Sequence, residues 1–148
     1  MKKTLRNKES KALITEIKDK WGYELNKKSK FEMIDNLVLI DNETLFFYFE
    51  NKLVPCLKLL LKNNFLKKVT IDMGAVPYAV KGADMMRPGI TNIDDDINEG
   101  EIVSIIDENN HKSIMVGIAL FNSNEMNVQK KGKSVKNIHF IGDEIWNY

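Results

Sequence analysis

The sequence has few of the residues on which most catalytic and metal sites are built. It contains one cysteine and two histidines in 148 residues, too few for a zinc site of the usual ligand spacing or for an internal disulfide. The glycine patterns of dinucleotide-binding proteins and of serine hydrolases are also missing. We therefore predict a protein that is not an enzyme and that uses no cofactor and no metal.

Long apolar runs are missing as well. No stretch approaches the roughly 20 apolar residues of a membrane helix, and the basic start, "MKKTLRNKESK", is not followed by the apolar segment of a secretion signal. The single cysteine, Cys56, lies among leucines, which indicates a buried and unreactive thiol. We expect a cytoplasmic globular protein without a membrane partner.

Charge is nearly balanced overall but is unevenly placed. The net charge is +1, yet residues 1–66 hold thirteen Lys or Arg against nine Asp or Glu, and residues 67–148 hold nine against twelve. In the second half the acids collect at 94–101 and the lysines at 130–136. A local basic patch of this kind is compatible with nucleic-acid binding, although the overall field is weak.

The acidic run invites a calcium-loop interpretation that its spacing does not support. Asp94, Asp96 and Asn98 stand at the positions of oxygen ligands. However, Glu99 occupies the position that needs glycine, and Ile105 the position that needs a bidentate glutamate. We interpret this run as a solvated turn.

Apolar spacing in the first half predicts two helices around a small sheet. Helical spacing runs from about Glu9 to Trp21, with Gly22 as a stop. Three short apolar runs follow, separated by Asp-Asn pairs at 35–36 and 41–42, as in an antiparallel meander. The segment "KLVPCLKLLLKNNF" predicts a second helix with Pro55 near its start.

The second half predicts a small β-barrel or sandwich. Strands are expected in "KKVTID", "EIVSIID", "SIMVGIALF" and "SVKNIHF", with a short helix in "VPYAVK" between Gly74 and Gly82. A helical turn in "SNEMNVQK" would be capped by Ser123.

The stretch 69–90, "VTIDMGAVPYAVKGADMMRPGI", combines glycines and prolines with few reactive side chains. The first turn of its helix would present unpaired N–H groups beside the small Gly74 and Ala75, where a phosphate or a base can approach. Tyr78 lies within the stretch, which suits a single-stranded nucleic-acid end. Alternatively, the glycines only close a tight barrel. The basic residues that flank it are Lys67, Lys68, Lys81 and Arg87.

Together with "GEIVSIID", "IMVGIALFNSNEM" and "GKSVKNIHFIGDEIW", this stretch resembles the PUA domain, an RNA-binding module, from about residue 67 to 148. The segment "LFFYFENKLVPCLKLLLKNNFLKKV" resembles the pre-PUA domain of archaeal proteins of this type, similar to the eukaryotic malignant-T-cell-amplified-sequence factors of translation re-initiation and ribosome recycling. The resemblance implies an α+β fold. It places a small α/β pre-PUA domain, residues 1–66, against a mostly β PUA pseudobarrel with short helices, residues 67–148.

The resemblance also implies where RNA would lie, namely against the short helix, the glycine-rich loop and a late strand. Asp84 would cap a turn or hold Arg87, and His139 would stack on a base or pack inside the strand. In the helix and loop the implied contacts are Gly74, Ala75, Val76, Pro77, Tyr78, Lys81, Gly82, Ala83, Asp84, Arg87, Pro88 and Gly89. The late strand adds residues 135–139, from Val135 to His139. Charge and proximity, and not the motif, nominate Lys67, Lys68, Lys133 and Lys136 as phosphate contacts.

Two functions remain open at this point. The first is a non-catalytic RNA-binding factor of translation that recognises a tRNA 3′ end or another structured RNA, such as rRNA. The second is an interaction module that docks a translation factor or the small ribosomal subunit and has little RNA affinity. An exposed apolar patch around Phe46, Phe47 or Tyr48 would favour the second.

Overall fold

The first half of the chain folds as an antiparallel sheet with one long helix. The computed structural model describes residues 1–148, and the helix α1 spans Asn7–Trp21. The five strands lie side by side in chain order, which confirms the predicted meander. Their bounds are β1 Lys3–Thr4, β2 Phe31–Ile34, β3 Leu37–Ile40, β4 Glu43–Phe49 and β5 Lys52–Pro55.

Tight two-residue turns set the register of this sheet. Asp41 and Asn42 both have positive φ, as do Glu50 and Asn51, so each pair connects its strands as the turn type whose twist matches the sheet. The turn between β2 and β3 has positive φ at Asp35. The predicted Asp-Asn turns are therefore confirmed, and the Glu50 turn is one that the sequence did not reveal.

Helix α1 begins two residues earlier than predicted and ends where predicted. Glu9 accepts a hydrogen bond from the Arg6 N–H at 3.0 Å at its start, and Gly22, at φ 69°, ends it. Leu13 and Ile17 are buried against the sheet. None of the helices in the chain has the length and the apolar character needed to cross a membrane.

The prediction of a helix over 52–62 is wrong in its first part. Lys52–Pro55 forms the edge strand β5, and the helix α2 covers only Leu57–Lys62. The Cys56 N–H donates to the Leu45 carbonyl at 2.8 Å, so an N–H at position 55 would point away from the sheet. Proline is tolerated at position 55 because an N–H there would have no neighbouring strand to bond to, so its absence costs no sheet hydrogen bond.

The second half has six strands, β6 Lys68–Ile71, β7 Met85–Met86, β8 Ile90–Ile93, β9 Ile102–Asp107, β10 Ser113–Ala119 and β11 Lys133–Phe140. They form one mixed sheet in the order β7, β11, β10, β9, β6, β8. All pairs are antiparallel except β6 with β9. The sheet bends around a core of fourteen buried residues as a pseudobarrel, which confirms the α+β fold. Two short helices belong to this half, α3 Val76–Ala79 and α4 Ser123–Val128.

The cap of α4 differs from the prediction. The Asn122 side chain accepts the Glu125 N–H at 2.9 Å, and Asn122 is therefore the cap. Ser123 instead donates to the Asp94 carbonyl at 2.7 Å and accepts from the Ile97 N–H at 2.8 Å. Asp94, expected in a solvated turn, is half-buried and accepts the Lys68 N–H at 2.7 Å.

A shared core joins the two halves. Leu57 and Leu60 of α2 pack in one buried cluster with Val116 of β10. Within this contact His139, which is 1% exposed, accepts the Leu57 N–H at Nε2, 3.0 Å away, and its Nδ1 lies 2.9 Å from Asp143. The boundary between residues 66 and 67 stays a prediction, because this core draws on both sides of it.

Burial decides two points that the sequence raised about the first half of the chain. Cys56 is 3% exposed, and burial raises its pKa to about 12, which confirms an unreactive thiol. The exposed apolar patch that would favour an interaction module is not formed by Phe46 and Phe47, since both rings are buried, and Tyr48 is half-buried. Phe46 stacks on Trp21 with ring centroids 6.1 Å apart, and Phe47 meets His139 edge to face at 5.4 Å.

Replacing Gly117 with alanine is expected to destabilise the protein. A Cβ at this position would lie 2.7 Å from the Lys136 carbonyl oxygen and would overlap the Val135 side chain. Overpacking of this kind costs about 1–3 kcal/mol, measurable by urea unfolding. Gly74→Ala is the matched control because its Cβ would meet only Asp72 Oδ1 at an ordinary 3.4 Å. Equal stability of the two variants would contradict this packing.

Acid should weaken the contact between the halves through Asp143. Burial acts to raise the pKa of Asp143, but hydrogen bonds from His139 and from the Trp146 and Phe140 N–H groups outweigh it and lower the pKa. Because the folded pKa is lowered, the stabilisation is complete above the ordinary carboxyl pKa of 3.8 and is lost as the pH falls through the folded value.

We expect Asp143→Asn to cost about 1–3 kcal/mol at pH 7, since an amide nitrogen would face a donor. The difference from the wild type should shrink in unfolding experiments below the ordinary carboxyl pKa of 3.8. Asp95→Asn, at an exposed position, is the control. A difference that does not change with pH would rule out the carboxylate charge as the cause.

Candidate nucleic-acid interface

A shallow groove of about 380 Å³ runs along α3 and the segment that follows it. One wall is the turn from Asp72 to Ala75 with Tyr78 of α3, and the other is the segment Asp84–Met86 with Pro88 and Gly89. Residues Arg87–Gly89 form a short 3-10 turn before β8. This turn forms part of the second wall of the groove.

Asp72 closes the start of α3 from inside the chain. Its Oδ1 accepts the Ala75 N–H at 2.8 Å, while the Tyr78 and Ala79 N–H groups bond to the Ala75 carbonyl. The prediction that the first turn presents free donors is wrong at Ala75. A carboxylate here opposes a phosphate, because like charges repel.

Two glycines allow close packing around α3, Gly82 against β11 and Gly89 against the start of the helix. Gly82 has φ 94°, a conformation that side chains disfavour, and a Cβ there would lie 3.2 Å from Phe140. A Cβ at Gly89 would lie 3.0 Å from the Ala75 Cβ. Close packing at these two positions is what the barrel-closing interpretation predicts.

Large apolar side chains stand open to solvent along the groove. Tyr78 is 65% exposed and Met86 is 47% exposed, and both line the groove. An exposed ring beside an apolar trough is what a nucleobase needs for stacking.

Asn137 holds α3 to the neighbouring strand β11. It lies in the implied strand segment 135–139, but this structural role was not predicted. Its side-chain amide donates to the Ala79 carbonyl at 2.9 Å and to the Ala83 carbonyl at 3.0 Å. Its N–H donates to Asp84 Oδ1 at 2.9 Å. The one available signal was an amide inside an otherwise alternating strand, "SVKNIHF".

Asp84 is held by β11 and not by Arg87. Burial acts to raise the pKa of Asp84, but the Asn137 N–H and Lys133, whose Nζ lies 3.1 Å away, lower it. Arg87 instead donates to the Met126 carbonyl at 2.6 Å and to the Ile90 carbonyl at 3.0 Å. Arg87 therefore fastens the 3-10 turn to α4, and the expected Asp84 contact with Arg87 is wrong.

Several predicted phosphate contacts lie away from the groove. Lys67 and Lys68 are at the opposite end of β6 from Asp72, and Lys67 Nζ lies 3.3 Å from Glu101. Lys68 Nζ donates to the Leu66 carbonyl. Lys136 Nζ lies 5.2 Å from the centroid of the Phe49 ring, on the first sheet.

Val135 and His139 are also unavailable to RNA, because both side chains are buried in the core. The packed-histidine alternative is the one that the structure confirms. Around α3, Pro77, Lys81 and Ala83 are exposed, while Val76 is half-buried against the core. The groove itself is lined by two carboxylates, of Asp72 and Asp84, and by no basic side chain.

Comparison with known proteins agrees with this architecture. The PUA domain model matches residues 67–141. An uncharacterized protein of Methanocaldococcus jannaschii is 46% identical over 76% of this chain and 70% of its own length. Translation machinery-associated protein 20 of Saccharomyces cerevisiae is 34% identical over 82% of this chain and 74% of its own length.

The similarity to a solved structure extends over almost the whole chain. A hypothetical protein of Pyrococcus horikoshii superposes with a TM-score of 0.87 at 29% identity, over 99% of this chain and 98% of its own. The family match in the second half and the relatives along most of the length confirm the resemblance read from the motifs. The chain belongs to the PUA-domain family.

Proposed function

We propose that this protein is a non-catalytic RNA-binding factor associated with the translation machinery. Its groove receives an unpaired RNA end, and the 3′ CCA end of a tRNA is the substrate that we favour. Membership of the PUA family supports RNA binding, and the name of the yeast relative supports the association with translation. A similar structure at 29% identity and a TM-score of 0.53 is described as an H/ACA ribonucleoprotein bound to a substrate RNA.

The exposed Tyr78 ring beside the apolar groove is the observation that carries this proposal. A paired base hides its faces in the helix, so the groove suits bases that are already unstacked. The carboxylates of Asp72 and Asp84 accept hydrogen bonds but repel phosphates, which favours contact with bases or ribose along the groove floor.

Phosphates would be held at the rim. Lys81 is exposed and has no ion-pair partner, and Lys133 could exchange Asp84 for a phosphate. With so few cations we expect weak, salt-sensitive binding by this groove alone.

We further propose that residues 1–66 and 67–148 are the two domains. We also propose that a ribosomal subunit or a partner factor raises the effective RNA concentration.

Tyr78→Ala is expected to weaken binding of intact tRNA by roughly 5- to 150-fold, because base stacking on an aromatic ring contributes about 1–3 kcal/mol. Tyr78→Phe should keep most of the affinity, since the ring remains. Fluorescence titration of labelled tRNA at two salt concentrations measures both variants.

The matched control is Tyr148→Ala, which removes another exposed tyrosine, 55% accessible, outside the groove. The wild type should bind tRNA trimmed of its CCA end more weakly than intact tRNA. For the trimmed tRNA, the wild type and Tyr78→Ala should have the same affinity. Equal binding of trimmed and intact tRNA by the wild type would refute recognition of the 3′ end.

A further inference from the structure

A second groove, in the first half of the chain, carries the charge that the PUA groove lacks. It has a volume of about 400 Å³ and lies between the start of α1 and the loop that precedes β2. Its lining includes Lys11, Lys27, Lys28 and Lys30 and no acidic residue. We refer to it below as the lysine groove.

Most of this charge is uncompensated. Lys11, Lys27 and Lys28 are exposed and take part in no ion pair, while Lys30 lies 3.5 Å from Glu32. The first thirty residues hold ten Lys or Arg and four Asp or Glu. A cluster of free cations concentrates a positive field at one place on a nearly neutral protein.

Hydrogen bonds hold the loop side of the groove in place. The Lys28 N–H donates to the Asn26 side chain at 2.8 Å, and the Lys30 N–H donates to Asp41 at 2.9 Å. Hydrogen bonds from the Lys30 N–H and the Ser29 hydroxyl lower the pKa of Asp41. Asp41 is therefore ionised at neutral pH and keeps accepting these bonds. The lysines thus stand on a fixed backbone.

The chemistry of the lining favours an RNA backbone over exposed bases. Phe31, the one aromatic residue of the lining, is 3% exposed and offers no stacking surface. Asn7, Ser10 and Ser29 add amide and hydroxyl groups, which bond to phosphate and 2′-hydroxyl oxygens. Cations and hydroxyls without an open ring are suited to base-paired RNA, whose bases are already stacked.

We propose that the lysine groove binds the phosphate backbone of base-paired RNA. The first sheet separates it from the PUA half, since α1 packs on one face of that sheet and the shared core packs on the other. The two grooves therefore take different parts of a large structured RNA. Binding here does not depend on the proposed role of the PUA groove.

The test titrates a blunt-ended RNA hairpin, which has no single-stranded 3′ end for the PUA groove. The variant Lys11→Gln, Lys27→Gln, Lys28→Gln should bind it more weakly. The slope of log affinity against log salt concentration should be smaller in magnitude by about 2 to 3, because each lost phosphate contact removes about 0.9 from it. The variant Lys58→Gln, Lys62→Gln, Lys112→Gln removes the same charge from exposed positions elsewhere and should keep the wild-type slope.

Equal slopes for the two triple variants would overturn the proposal, because net charge alone would then explain binding. It would also be overturned if polyglutamate displaced the hairpin at equal concentrations of negative charge, which would mark the surface as one for acidic proteins. Tyr78→Ala should bind the hairpin as the wild type does, so a failure of the PUA-groove proposal is seen separately. Thermal unfolding of each variant checks that the fold is intact.

Discussion

One buried side chain, His139, connects the parts of this protein that matter for binding. Its Nε2 accepts the Leu57 N–H, so the ring proton sits on Nδ1 and donates to Asp143. Asp143 also accepts the Phe140 and Trp146 N–H groups. His139 belongs to β11, the strand that also carries Asn137. One strand therefore joins the two halves and holds α3 and Asp84 beside the PUA groove.

As proposed, the PUA groove and the lysine groove bind different parts of an RNA. The first is apolar, bordered by carboxylates and by an exposed ring, and it is suited to unstacked bases. The second is cationic and has no open ring. Long-range attraction follows charge, whereas discrimination between ends requires contact with bases. A protein with a net charge of +1 can still bind RNA when its free lysines are gathered on one surface.

The elements that could be predicted from the sequence were those whose cause is local. Positive-φ turns at Asp41 and Asn42, the Gly22 stop of α1 and the short helix before Gly82 all follow from backbone preferences. The prediction of a helix from Lys52 was wrong because the edge strand β5 and the helix α2 form one continuous apolar run, in which the sequence marks no boundary. The strands β7 and β8 are too short to show an alternation of apolar and polar residues. They form because β11 and β6 offer backbone hydrogen-bond partners.

The residues of the candidate site divide in the same way, into those that a local motif predicts and those that only the fold reveals. Tyr78 and Gly89 were predicted as contacts from one contiguous motif, and both line the groove. The resemblance to the PUA family follows from the same stretch of sequence. Tertiary structure alone decided that His139 is buried, that Arg87 serves two carbonyls, and that Lys11 and Lys27 share one groove. Sequence determines local backbone preference and apolar period, whereas charge neighbours and burial depend on which distant segments the fold brings together.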